Sequence, residues 1–208
     1  MYRQQRYDEC LKEIRSTLKQ SPNSLPLLNY QAMAYSALKR DREAIMSYQK
    51  IIKKDSSLAG PYYNMGIILK RNGRTKEAID SYKKAISLKP DFVDPYNNIG
   101  VMYKGYGLFQ KAELFLKKAI TIKPQFSHSH SNLGNVLKGL GRIFDAYKCF
   151  NQAINLDPTN HDFHNNKNLC LNYSSNWSPS FVYKEHIKFE EKFGGLDVRT
   201  DLNFSQYN

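Results

Sequence analysis

The 208-residue chain is 41% hydrophobic and 13% aromatic, and carries 31 Lys and Arg against 19 Asp and Glu, a net charge of +12. That much apolar material excludes wholesale disorder; no apolar run nears the ~18 residues of a membrane span, and the polar N-terminus is no secretory signal. A protein of the cytoplasm or nucleus, off the membrane, is expected.

Cys10, Cys149 and Cys170 form no CxxC pair and leave an odd count, which argues against a disulfide framework or zinc site and for small buried apolar residues. A basic chain can attract nucleic acid or an acidic partner. Here Lys50, Lys84 and Lys118, like Lys83 and Lys117, recur at one constant spacing, away from the apolar positions. With no nucleic-acid-binding motif beside them, they read as a solvated face, and no nucleic-acid partner is expected.

In chain order, residues 1–24 hold the second helix of a pair only, ending before Pro22. The first helix is missing, so a truncated N-terminus is expected. Helix pairs then fill 25–58, 59–92, 93–126 and 127–160, because several residue types repeat on one 34-residue grid. Pro22, Pro90, Pro124 and Pro158 form one series. Gly66, Gly100 and Gly134 form another, with Ala32 one step earlier. Ala44, Ala78, Ala112 and Ala146, the large residues Tyr48, Tyr82, Leu116 and Phe150, and the set Ala85, Ala119 and Ala153 form three more.

Physical roles follow from the spacing. In 59–92 the first helix carries Tyr62, Met65, Gly66 and Leu69 at i, i+3, i+4, i+7, and the second carries Ala78, Tyr82, Ala85 and Ile86 in the same way. Gly66 and Ala78 let two backbones approach, and Tyr82 fills the gap to the next helix. Gly73, Gly107 and Gly141 end the first helices, where a left-handed residue is needed. The prolines follow the second helices, which they cannot continue. Stability then comes from stacking neighbours.

On these residues, best seen from Tyr96-Asn-Asn-Ile-Gly100 to Pro124, the chain resembles the tetratricopeptide-repeat (TPR) family over roughly 1–160. The resemblance implies an all-α TPR solenoid, a right-handed superhelix of antiparallel helix pairs that holds other proteins. Residues 161–176 read as a degenerate capping helix, with Phe163, Leu169 and Leu171 for docking and Asn168 at the glycine step. Residues 177–208 read as a linker helix and tail. Ser178 caps the helix with Pro179 at its first position, and it stops at Gly194-Gly195. Val182, His186, Phe189 and Phe193 share a face.

Leu171-Asn-Tyr, Ser178-Pro179, Glu185-His186, Phe189 and Phe193-Gly194, together with the repeat text Asn97-Asn-Ile-Gly-Val-Met-Tyr-Lys104, are also similar to the junction in SPINDLY-like and O-linked N-acetylglucosamine transferase-like proteins. That resemblance implies a substrate-recognition region for a protein O-glycosyltransferase (O-GlcNAc or O-fucose). Its catalytic domain is missing from this chain, and a nucleotide sugar would bind only there. Neither a nucleophile elbow nor a phosphate loop stands in the sequence, so no catalytic residue and no cofactor is expected in this chain.

Four asparagines, Asn64, Asn98, Asn132 and Asn166, share the grid and point away from the core stripe on a helical wheel. Such a ladder on a concave wall can pair with the backbone of a protein or peptide client, a role the glycosyltransferase resemblance also implies. The competing reading is that asparagine is common at this step and caps loops. Lys70, Lys104 and Lys138 sit near the ends of first helices and either attract acidic client segments or offset the helix C-terminus. His128 and His130, His161 and His164, and His186 carry too few ligand or catalytic companions to suggest a metal or a base. The chaperone-tail clamp of some TPR adaptors needs Lys, Asn and Arg at set steps. Asn29, Tyr63, Asn97 and Ser131, with Pro26, Gly60, Asp94 and His128, stand at two of those steps instead. A free-standing adaptor with other partners is the alternative to the glycosyltransferase reading.

Overall fold

The computed structural model describes the backbone of residues 2–174 and 176–194, and side chains from residue 6 onward. The predicted tail beyond 194, with Gly195, lies outside the described residues. Among these there are eleven helices and no strand: α1 (Tyr2–Gln20), α2 (Leu25–Ala37), α3 (Asp41–Lys54), α4 (Ala59–Arg71), α5 (Thr75–Leu88), α6 (Val93–Gly105), α7 (Phe109–Ile122), α8 (Ser127–Gly139), α9 (Ile143–Leu156), α10 (His161–Leu171) and α11 (Pro179–Phe193). The fold is all-α. Two compact units divide within α6, at Ile99 and Gly100.

In the first unit α3 makes its broadest contact with α2, and α5 with α4. Ala44, Ala78, Ala85 and Tyr82 are fully buried and Tyr48 almost so, because the small residues admit the facing helix and the large ones fill what remains. A Cβ placed on Gly66 would lie 2.6 Å from Cε1 of Tyr82. The second unit repeats the device: a Cβ on Gly134 would lie 2.6 Å from Cε1 of Phe150, and one on Gly100 2.6 Å from Cγ of Leu116. Its core joins Ala112, Leu116, Leu133, Val136, Leu137, Ala146, Phe150 and Cys170.

Each first-of-pair helix ends in the same wrap. Gly73, Gly107 and Gly141 have φ of 71°, 70° and 74°, and the equivalent residue after α2 is Lys39, at φ 59°. At each, the amide two residues past the cap reaches back five residues, one more than in the helix, as Arg74 N does to Leu69 O and Arg40 N to Tyr35 O, both 2.9 Å, one of the paired hydrogen bonds of a left-handed stop. A side chain costs about 1–2 kcal/mol in that conformation. Part of this is offset because glycine is freer in the unfolded chain. Lys39→Gly is therefore expected to raise unfolding stability by about 0.5–1 kcal/mol, read as a higher urea midpoint at unchanged slope.

The helix starts carry a second regularity, beyond those expected from the sequence. Arg40, Arg74 and Arg142 occupy N-caps without a side-chain cap. Instead each holds the acid three residues on: Glu43 at 2.6 Å, Glu77 at 2.6 Å and Asp145 at 2.9 Å. The hydrogen bond from the arginine lowers the pKa of Glu43 and Glu77, so each carboxylate stays charged at the positive helix end. The grid loses this pair at Leu108 and Lys111.

In the second unit α10 buries Phe163 and Leu171, but Leu169 is 44% exposed and does not dock. Asn168 is buried and donates to Glu185 O at 3.5 Å. Ser178 Oγ accepts from Phe181 N at 3.2 Å, capping α11. On α11 the buried residue is Glu185, while Val182, His186, Phe189 and Phe193 are only half-buried. Glu185 meets buried Lys167 of α10 at 2.5 Å and exposed Lys188 at 2.7 Å. Burial pushes the Glu185 carboxyl up, but the hydrogen bonds from Lys167 and Lys188 outweigh it and hold its pKa below the ordinary carboxylate range.

Candidate functional site

A trough of about 630 Å³ opens in the first unit, lined by Tyr7, Cys10 and Ile14 of α1, Tyr30, Met33, Ala34 and Ala37 of α2, Tyr48 of α3, and Asn64, Ile67 and Arg71 of α4, with Lys39 at its rim. Its outward side chains are large and apolar: Tyr30 is 59% exposed, Met33 50% and Ile67 38%. Exposed apolar groups clustered in this way are a common feature of interaction surfaces. Arg71 is held in place by Asp41. A neighbouring hollow of about 570 Å³ runs from Leu25, Pro26 and Asn29 to Gly60, Pro61 and Asn64, so Asn64 borders both.

The grid explains the trough. Tyr30 stands one grid step before Asn64, and Met33 one step before Ile67. Stepping the asparagine series back once reaches Tyr30, an aromatic that a search for repeated amides misses.

All four predicted asparagines are half-buried. Asn64 meets the hydroxyl of Tyr48, whose pKa burial pushes up to about 12. Asn98 stands at the hydroxyls of Tyr63 and Tyr82, although the buried Tyr82 hydroxyl closes no well-formed hydrogen bond. Burial raises the pKa of both phenols. In the second unit Asn166 donates to Ser131 Oγ at 3.3 Å. The wheel placed these amides clear of the core; in the structure each is half-buried. Where the preceding helix carries a tyrosine, the amide turns toward its phenol; Leu116 and Phe150 offer none.

Lys70 is exposed and Lys104 half-buried, while Lys138 lies 5.2 Å from the Tyr173 ring. His130 Nε2 sits 2.7 Å from Pro124 O and His128 packs edge-on against Phe163 at 5.3 Å. His161 and His164 pack on Phe193 at 5.2 and 4.9 Å. Burial lowers the His164 pKa. Of the cysteines, Cys170 is buried and Cys149 half-buried, but Cys10 is exposed, contrary to the expectation of burial.

Four repeat-family profiles match: one described as TPR repeat at residues 68–107, and three as Tetratricopeptide repeat at 30–57, 93–126 and 127–160. No curated protein matches significantly. Among solved structures, a crystal structure of MamA is 28% identical, covering 73% of this chain and 89% of that one at a TM-score of 0.67. YrrB, described as a TPR protein with an unusual peptide-binding site, is 19% identical over 88% of this chain and 93% of its own, TM-score 0.70. A mutant O-GlcNAc transferase from Thermobaculum terrenum is 20% identical over 67% of this chain and 27% of its own, TM-score 0.61.

Proposed function

The chain is a tetratricopeptide-repeat solenoid, a protein-interaction scaffold, and from that premise we propose that it holds a partner segment in the trough that α1, α2 and α4 line. The observation that carries this is the row Tyr30, Met33 and Ile67, exposed side by side with the Asn64 amide among them. The apolar groups take the partner's side chains, and the amide, donor and acceptor at once, meets its backbone. YrrB, a repeat protein described by its peptide-binding site, supports a peptide as the partner class. Within the same unit the Asn98 amide offers the same chemistry and Lys70 favours acidic flanks on the partner; in the second unit Asn132, Asn166, Lys104 and Lys138 are the corresponding candidates by themselves.

Selection of displayed peptides of about 12 residues against the intact chain tests this. Binders are expected to weaken at least about tenfold on Ile67→Glu and by about threefold on Asn64→Ala. Binders indifferent to both changes would place the partner elsewhere.

A second reading makes the scaffold the recognition region of a SPINDLY-like O-glycosyltransferase. The residues of 171–194 and the likeness to the Thermobaculum enzyme support it, although this chain spans only 27% of that one. The nucleotide sugar would then be held by a catalytic region outside these residues. The adjoining reading frame separates that reading from a free-standing adaptor: a genuine start and stop codon around these residues would end it.

A further inference from the structure

Positive charge is concentrated in the first unit: residues 1–99 carry 18 Lys and Arg against 10 Asp and Glu, and the rest of the chain 13 against 9. Part of it converges on one hollow of about 430 Å³, where Lys12, Arg15 and Lys19 of α1 face Arg40 at the start of α3. Leu11 lines its base and is 2% exposed, so this chain's own residues close it from beneath. Two of the cations are fixed in place. Arg15 Nε and Nη2 both donate to the hydroxyl of buried Tyr35, at 3.3 and 2.8 Å. The Arg40 guanidinium lies 4.8 Å from the centre of the same ring, and its Nε and Nη2 donate to Glu43 Oε1 at 2.8 and 2.6 Å. One tyrosine thus holds two like charges close together, and each guanidinium keeps its Nη1 free of hydrogen bonds among the described residues. Lys12 and Lys19 are exposed and form no ion pair among the described residues. Against the four cations stand two carboxylates, Asp8 in the hollow and the Glu43 that pairs with Arg40, which leaves a surplus of two positive charges.

We propose that this hollow binds the phosphate of a phosphorylated side chain on a protein partner. A carboxylate brings one charge and two oxygens, whereas a phosphate monoester brings close to two charges and three acceptor oxygens. The phosphate therefore matches both the surplus and the donors that remain: Nη1 of each arginine, the two ammonium groups and the Ser16 hydroxyl. Guanidiniums already held by Tyr35 and Glu43 lose little further freedom on binding. Lys12, Arg15, Ser16 and Lys19 are all exposed. An opening of that kind suits a group projecting from another chain more than a free small molecule, most of whose surface a pocket encloses. None of the residues of the hollow lines the trough, so either site stands if the other fails.

The probe is the blocked peptide Gly-Gly-phosphoserine-Gly-Gly, titrated into the intact, isotope-labelled chain at about 0.15 M salt and followed by amide NMR shifts. Saturable shifts at residues 8–19 and 40 are expected, with half-saturation at about millimolar peptide. The unphosphorylated peptide, its glutamate version and a thymidine dinucleotide, which offers a phosphodiester, are each expected to bind at least about fivefold more weakly. Inorganic phosphate competes, because the phosphate is the recognised group. Lys12→Ala with Lys19→Ala is expected to weaken binding at least about fivefold. Lys50→Ala with Lys53→Ala removes the same charge from exposed positions of α3 and leaves binding unchanged. All four are exposed positions, so both variants fold, which circular dichroism verifies. Capture of inorganic phosphate without the peptide would make the hollow a small-anion site. That result, a glutamate peptide or dinucleotide that binds as tightly, or an equal loss in the α3 variant, would each overturn the proposal.

Discussion

Gly134→Val is expected to destabilise the second unit by about 3 kcal/mol or more. The glycine lies in α8 with Phe150 of α9 directly over it; a Cβ would stand 2.6, 2.8 and 2.9 Å from three ring carbons. Phe150 is fully buried among Ala112, Leu116, Leu133, Val136, Leu137 and Ala146, so the ring has no free volume to move into. Gly134→Ala is a milder case. Alanine regains about 1 kcal/mol of helix propensity, and at the equivalent step the chain already carries Ala32, with Tyr48 as the matching aromatic. The expected order is therefore glycine, then alanine within about 1–2 kcal/mol, then valine far below. Urea unfolding followed by circular dichroism checks it, and a valine variant as stable as the parent would contradict the packing argument.

The second large effect sits at the α10–α11 contact. Lys167→Ala is expected to cost about 3 kcal/mol, the lower end for breaking a buried pair, because Lys188 still reaches the Glu185 carboxylate. Glu185→Leu leaves an almost buried ammonium without the carboxylate that pairs it and is expected to cost as much or more. Replacing both, Lys167→Met with Glu185→Leu, removes the two desolvation penalties together and should return to within about 1 kcal/mol of the parent. Trp177, the chain's single tryptophan, reports locally: it stacks on Phe181 of α11 at 5.3 Å and lies 5.1 Å from Tyr147 of α9. A double variant as weak as either single change would show that the pair stabilises beyond mutual compensation.

The helix pairs were legible because each step of the grid repeats the packing problem itself. A cleft needs a small residue, a plug needs a large one, and a left-handed stop needs glycine, so residue type names geometric role. Lys39 shows where this fails: the wrap persists because neighbours impose it, although the side chain resists it. The candidate site was less legible. The wheel gave each asparagine a direction relative to its own helix, but whether its amide meets a phenol depends on the residue that the preceding helix presents. Tyr48 and Tyr82 supply that hydroxyl and Leu116 and Phe150 do not. Glu185 escapes a sequence reading because a lone acid on an apolar face reads as solvent-facing unless its cation is known, and Lys167 belongs to a different helix.

Cleft and plug lie within one repeat block: Gly66 with Tyr82, Gly100 with Leu116, Gly134 with Phe150. The phenol and its amide lie in successive blocks, Tyr48 with Asn64 and Tyr82 with Asn98. A gene that copied one whole block in tandem would thus carry each fitted pair along intact. Copying 59–92 would even set the Tyr82 of one copy before the Asn64 of the next. Insertions of any other length would sever one relation or the other, so growth by unit duplication is the change this architecture absorbs most cheaply.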